Sequence, residues 1–98
     1  MPIIIRPTTK MDLLEFSNKS HLEIVVKELD EPIRTWIAAG TNVFVIDGFS
    51  CSTVNGIGST PDEALFYYAK NISGKRLRVN GRDFDAPFLT YESHSTHP

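Results

Sequence analysis

The segment Thr60-Pro61-Asp62-Glu63 narrows what this chain can fold into more than any other, because four separate preferences there agree on one event. The Thr60 hydroxyl can accept from the Glu63 amide while Glu63 reaches back to Thr60. Pro61 presets the first helical φ, and two carboxylates sit at the positive end of the helix dipole. The spacing predicts a helix over 61–72. On it Ala64, Leu65, Tyr68, Ala69 and Ile72 share one face, suited to lie on a sheet, while Phe66, Tyr67, Lys70 and Asn71 turn away. Ser73-Gly74 stops the helix, the glycine being free to turn left-handed.

The rest of the chain reads mainly as strands. Residues 9–19, with Thr9 as cap and Met11, Leu13, Leu14 and Phe16 as the apolar set, predict a short first helix. From His21 to Leu29, Leu22, Ile24 and Val26 fall on alternate positions, the period of a half-buried strand. Asp30-Glu31-Pro32 breaks it, and Arg34 to Ala38 forms a second strand ending at Gly40. Asn42 to Ile46 reads as a central third strand, and Asp47-Gly48 as a type I′ turn into a fourth, Phe49–Val54. Asn55-Gly56-Ile57-Gly58 reads as a flexible loop. After the helix, Lys75–Val79 and Arg82–Asp85 flank Asn80-Gly81, a second type I′ signal. The expected class is α+β: an antiparallel sheet of about six strands with two helices on one face, in the order α-β-β-β-β-α-β-β.

A length of 98 residues leaves room for one domain, expected over 1–92, with a frayed polar tail at 93–98. Ten basic and twelve acidic side chains give a net charge of −2, which argues against coating a nucleic-acid polymer through the overall field. The lone Cys51 has no internal disulfide partner, and no Cys/His spacing matches a zinc site. Ile3-Ile4-Ile5, ended by Arg6-Pro7, is too short for a leader or a membrane span, so a cytoplasmic location is expected.

No catalytic set emerges. His94 and His97 fall in the tail, His21 adjoins a helix end, and Cys51 reads as a small core or half-buried thiol in a strand. Asp30/Glu31 and Asp62/Glu63 are explained by a turn and a helix start. Gly56 and Gly58 precede a helix N-terminus, but no Walker lysine follows and two acids sit where a phosphate would, so a tight connection explains them better. Lys75, Arg76, Arg78 and Arg82 cluster around one hairpin, with Arg34 and Trp36 on another strand. If Arg76, Arg78 and Trp36 share the face away from the helices, guanidinium forks and a flat ring suit a nucleotide; an ordinary charged hairpin is the alternative. Phe66 and Tyr67 mark a subunit contact or, otherwise, part of a wide core stripe. The expected protein binds rather than catalyses, with no cofactor and no metal.

Several stretches resemble a class of small phage proteins, the anti-Thoeris sponges. They are Trp36 to Ala38, Ser52 through Ala64, Tyr68 through Lys75, and Arg82 ahead of Ala86-Pro87, together with Leu13-Leu14-Glu15-Phe16 and His21-Leu22-Glu23-Ile24. The resemblance implies an oligomer, a hexamer in that family, that captures a cyclic ADP-ribose signal in the infected bacterial cytoplasm and releases it undamaged. Some relatives also hold cyclic oligonucleotides at separate sites. It implies Arg34 and Arg82 at the signal pocket, Asn71 as a further contact, and Thr90 at the second kind of site; Trp36, read above as the flat ring, is expected to sense the ligand. The chain departs from the family in a shorter last hairpin. Three strands before a Thr-Pro-Asp-Glu-Ala helix also resemble the partner-binding domain of HicB-like antitoxins, although no DNA-binding segment follows that helix. An inhibitor of a host protein, acting through Phe66 and Tyr67, is the remaining class.

Overall fold

The computed structural model describes residues 10–30 and 35–91. The expected Thr9 cap, Arg34 and the tail at 93–98 lie outside them. The class is α+β. Its order is β1 (Lys10–Asp12), α1 (Leu13–Ser20), β2 (Glu23–Leu29), β3 (Thr35–Thr41), β4 (Val43–Asp47), β5 (Ser50–Ser52), β6 (Asn55–Gly58), α2 (Pro61–Ile72), β7 (Arg76–Val79), β8 (Arg82–Asp85) and β9 (Phe88–Thr90).

The described strands form three sheets rather than one: β2-β3-β6, β5-β4-β7-β8, and a parallel pair β1-β9. Strands two to five therefore do not pair in succession. At Asn42 the backbone turns left-handed (φ 57°) and sends the chain into the second sheet, where β4 lies between β5 and β7. Asparagine tolerates this conformation because its short amide can bond locally. Here the Asn42 amide donates to the Asn80 side-chain oxygen (3.3 Å), the Asn80 N–H donates to the Asn42 carbonyl (3.1 Å), and the Asn80 amide donates to the His21 carbonyl (3.2 Å). Two turns and the end of α1 are thereby fixed to one another.

The expected loop at 55–58 is the strand β6, paired antiparallel with β3 and pressed under α2. A Cβ added at Gly56 would come within 2.2 Å of both the Ala64 carbonyl and the Tyr68 amide. One at Gly58 would meet the Glu63 side chain at 2.7 Å. The glycines therefore bring helix backbone onto strand backbone, and their absent side chains, not their flexibility, are the reason for them.

Helix boundaries follow their caps. α2 begins where the sequence indicates, the Glu63 N–H donating to the Thr60 hydroxyl (3.1 Å), but Glu63 reaches back to the Ser59 amide (3.2 Å) rather than to Thr60. Such a cap contributes about 1 kcal/mol. α1 starts four residues later than expected, because residues 10–12 pair with β9. Asp12 is its cap, accepting from the Leu14 amide (3.0 Å). Turn chemistry holds at Asn80-Gly81, where both residues have positive φ, as type I′ requires. In the other hairpin, pairing of Asp47 with Ser50 makes Gly48-Phe49 the loop, one residue later than expected. Only Gly48 is left-handed there, and the Phe49 ring stands fully in solvent.

The core joins the helices to both larger sheets: Leu13 and Phe16 of α1, Ala64, Tyr68, Ala69 and Ile72 of α2, Ala38 of β3, Val43 and Val45 of β4, Leu77 and Val79 of β7, and Leu89 of β9. Tyr68 is completely buried, its hydroxyl against the Gly40 backbone without a hydrogen bond of full geometry. Burial pushes its ionisation up to about 12, an effect the nearby Gly40 amide only partly offsets.

Two outcomes test this packing. Gly56→Ala is expected to cost about 3 kcal/mol or more in denaturant titration, since backbone cannot yield as a side chain can; an unchanged midpoint would contradict the helix-on-strand contact. Tyr68→Phe removes an unsatisfied buried hydroxyl and is expected to be neutral or to stabilise by up to about 1 kcal/mol. In the wild type the folded state holds the Tyr68 proton to about pH 12 while the unfolded chain loses it near 10. That contribution is whole below pH 10 and is lost as pH rises toward 12. Tyr68→Phe should flatten this alkaline fall in melting temperature.

Candidate functional site

An apolar-lined groove lies between α2 and β9. It has a volume of about 370 Å³ and is lined by Phe66, Lys70, Ser73, Phe88, Leu89, Thr90 and Tyr91. Its placement follows from local rules. Leu89 points into the core, so the alternation of β9 turns Phe88 and Thr90 outward. On α2, Phe66 and Lys70 are four residues apart and stand one above the other, away from the buried stripe. Phe66 and Phe88 keep 47% and 51% of their surface in solvent, a large exposure for two aromatic rings facing one hollow. Phe66 also meets Tyr67 edge to face, with ring centroids 5.3 Å apart.

Hydrogen bonds tie the floor of the groove together. The Ser73 hydroxyl donates to the Ala69 carbonyl (2.6 Å) and accepts from the Leu89 amide (2.9 Å), tying the end of α2 to β9. At the other end the Tyr91 hydroxyl donates to Asp62 (2.8 Å). Burial, followed by that bond to a carboxylate, pushes the Tyr91 ionisation up to about 12. Lys70 is exposed and forms no ion pair among the described residues, so its charge is available to a ligand.

The structure separates the remaining candidates. Phe66 and Thr90, singled out for different reasons, line the same groove. Arg82 lines another hollow of about 350 Å³ with Ser20, His21, Val79 and Asn80, sharing no residue with the groove. Asn71 is exposed in the last turn of α2 and donates to the Asn55 carbonyl (2.9 Å), which holds the start of β6. Trp36 has the same strand parity as Ala38 and Gly40, whose face is against α2, and it packs on the core. The expected shared face of Trp36 with Arg76 and Arg78 is therefore not formed, since the ring and the arginines belong to different sheets.

Two cations of the hairpin cluster, Arg76 and Arg78, are paired locally. Arg78 places Nε 2.8 Å and Nη2 3.4 Å from the Asp83 carboxylate, while Arg76 lies 3.6 Å from Asp85 and 3.8 Å from Asp83. The hydrogen bond to Asp83 raises the Arg78 ionisation further, and the same bond holds the Asp83 carboxyl below its usual range. An incoming phosphate would compete with carboxylates already seated. Cys51, read from the sequence as a core or half-buried thiol, is exposed, because β5 is an edge strand outside the core.

No three His, Cys, Asp or Glu side chains among the described residues are grouped to hold a metal, and no described helix is long and apolar enough to cross a membrane. Comparison with protein-family models, with curated proteins and with solved structures finds no match to this chain. What the geometry defines is a small α+β protein with a solvent-open aromatic groove that has Lys70 on its lining. Neither Lys70 nor Phe88 stood out in the sequence. The groove depends on β9, which is three residues long and follows a proline, too short for periodicity to reveal.

Tyr91→Phe is expected to lose about 1 kcal/mol of stability by removing the bond to Asp62. Hydrogen exchange should rise at the Leu89 amide while α1 stays protected, and unchanged exchange would show that Tyr91 does not hold this end of the groove.

Proposed function

We propose that this protein binds a nucleotide-derived signal molecule in the groove between α2 and β9 and leaves it chemically intact. The observation that supports this most is the grouping in one hollow of two open aromatic faces, Phe66 and Phe88, with the Lys70 ammonium, which has no ion pair among the described residues. A base can stack on a ring with a gain of about 1–3 kcal/mol, and a phosphate can take the ammonium. The hydroxyl-bearing Thr90 on the same wall suits a ribose. No step of covalent chemistry is needed, since sequestration requires only affinity and enough copies of the protein.

The resemblance to the anti-Thoeris sponges supplies the candidate ligand, a cyclic ADP-ribose in an infected bacterial cytoplasm, with cyclic oligonucleotides as a second class. A volume of about 370 Å³ is near the low end of ligand pockets and suits a base with its ribose better than a whole dinucleotide. A second copy seated against Phe66 and Tyr67 would deepen it, in keeping with the oligomer that the resemblance implies. Arg82, in its separate hollow, is then a candidate for a second ligand site with Asn80 and His21 beside it. A protein as the bound partner, a small toxin by the HicB-like resemblance or a host protein in the inhibitor reading, draws on the same apolar lining.

Thermal-shift and calorimetric titration with cyclic ADP-ribose isomers and cyclic dinucleotides tests the proposal. Ligand at a hundredfold excess over its dissociation constant contributes about 2.7 kcal/mol, which in a chain this size raises the melting temperature by roughly 10 °C or more. Phe88→Ala is expected to weaken binding about tenfold and Lys70→Ala by a similar factor, with the unliganded melting temperature nearly unchanged. The ligand recovered after heating should be intact. A flat titration with every nucleotide, or recovery of a cleaved product, would refute the reading.

A further inference from the structure

β2 is an edge strand of seven residues that pairs with β3 on one side and with nothing on the other among the described residues. An edge of this length offers a row of N–H and C=O groups as a template for another strand. Its sequence, Glu23-Ile24-Val25-Val26-Lys27-Glu28-Leu29, decides which strand suits it. In a two-fold antiparallel pairing of β2 with itself, opposite residues must point to the same face, so the axis has to pass through a residue. Centred on Lys27, the register sets Lys27 against Lys27. Centred on Val26, it buries Val25 against Lys27 and Ile24 against Glu28. Centred on Ile24, it leaves Glu23 opposite Val25.

The register centred on Val25 gives matched opposites over residues 23–27, leaving Glu28 and Leu29 beyond the paired stretch. Glu23 then opposes Lys27 of the other copy, twice by symmetry, Ile24 opposes Val26, and Val25 opposes Val25. The surface on that side fits the arrangement. Val25 is 46% exposed although it sits in mid-strand, and Ile57 is 51% exposed on the same face, with Ile37 and Ala39 between them in the register. The apolar stripe of one copy would run across the seam into that of the next, flanked by the two Glu–Lys pairs. We infer that β2 is a self-complementary interface at which two copies of this chain join into one continuous sheet of six strands, ordered β6-β3-β2-β2-β3-β6. The inference does not depend on the ligand groove, which lies on α2 and β9.

Sedimentation velocity of the full chain at tens of micromolar, in low salt, should show a two-chain species. Lys27→Glu turns both cross-strand attractions into repulsions and should raise the dissociation constant about tenfold or more, as should Glu23→Lys. The double variant Glu23→Lys/Lys27→Glu restores opposite charges and should return to wild-type association, a rescue that a purely structural role would not give. In a Cys51→Ser background, Val25→Cys should form a disulfide-linked dimer under mild oxidation, since residues facing each other across the axis bring their Cβ atoms to about 4.5–5.5 Å. A monomer at all concentrations, association indifferent to both single variants, failure of the double variant to recover, or absence of the Val25→Cys cross-link would each overturn the inference.

Discussion

Helix α2 can rest on β6 only because Gly56 and Gly58 have no side chains, and most of the molecule is positioned through that contact. With backbone against backbone, Ala64, Tyr68 and Ala69 reach Ala38 and Gly40 on the neighbouring strand, and the far end of the helix arrives at β9. Close approach also brings a phenol into a place with little to bond, so the Tyr68 hydroxyl is enclosed without a full partner. A buried orphan of this kind costs stability, which the surrounding apolar contacts must outweigh. Placement of the groove is thus an outcome of packing several residues away from it.

Local chemistry was legible where it acts over four or five residues. The Thr60 cap, the Ser73-Gly74 stop and the Asn80-Gly81 turn stand as the residues indicate, and the α+β class follows from them. Pairing between distant strands was not legible. Asn55-Gly56-Ile57-Gly58 looks like a loop because glycine is read for its freedom, whereas its use here is the space it leaves for a helix that comes later in the chain. Likewise nothing in Lys10–Asp12 or Phe88–Thr90 alone indicates that the two pair, so α1 was expected to begin too early. The site was only half visible for the same reason: Phe66 declares itself as an off-face aromatic on a helix, but Phe88 gains its role from a strand too short to show a period.

Charge tells a similar story at the last hairpin. Four cations around Asn80-Gly81 look like an anion trap when counted along the sequence. In the folded hairpin Asp83 and Asp85 sit across from Arg78 and Arg76, so these two of the four cations are already engaged. Lys70 contributes less to any count, yet no described carboxylate pairs with it. For capture of an anion in water, one unmatched cation beside an apolar wall outweighs two that are already satisfied.

The parallel pair β1-β9 joins Lys10–Asp12 to Phe88–Thr90, segments at opposite ends of the described chain. During synthesis the first of these leaves the ribosome long before its mate exists, so the groove wall has no counterpart until Phe88–Thr90 has been made. A nascent chain that has not reached β9 would accordingly hold most of the core residues but only the α2 side of the groove, so the hollow closes late.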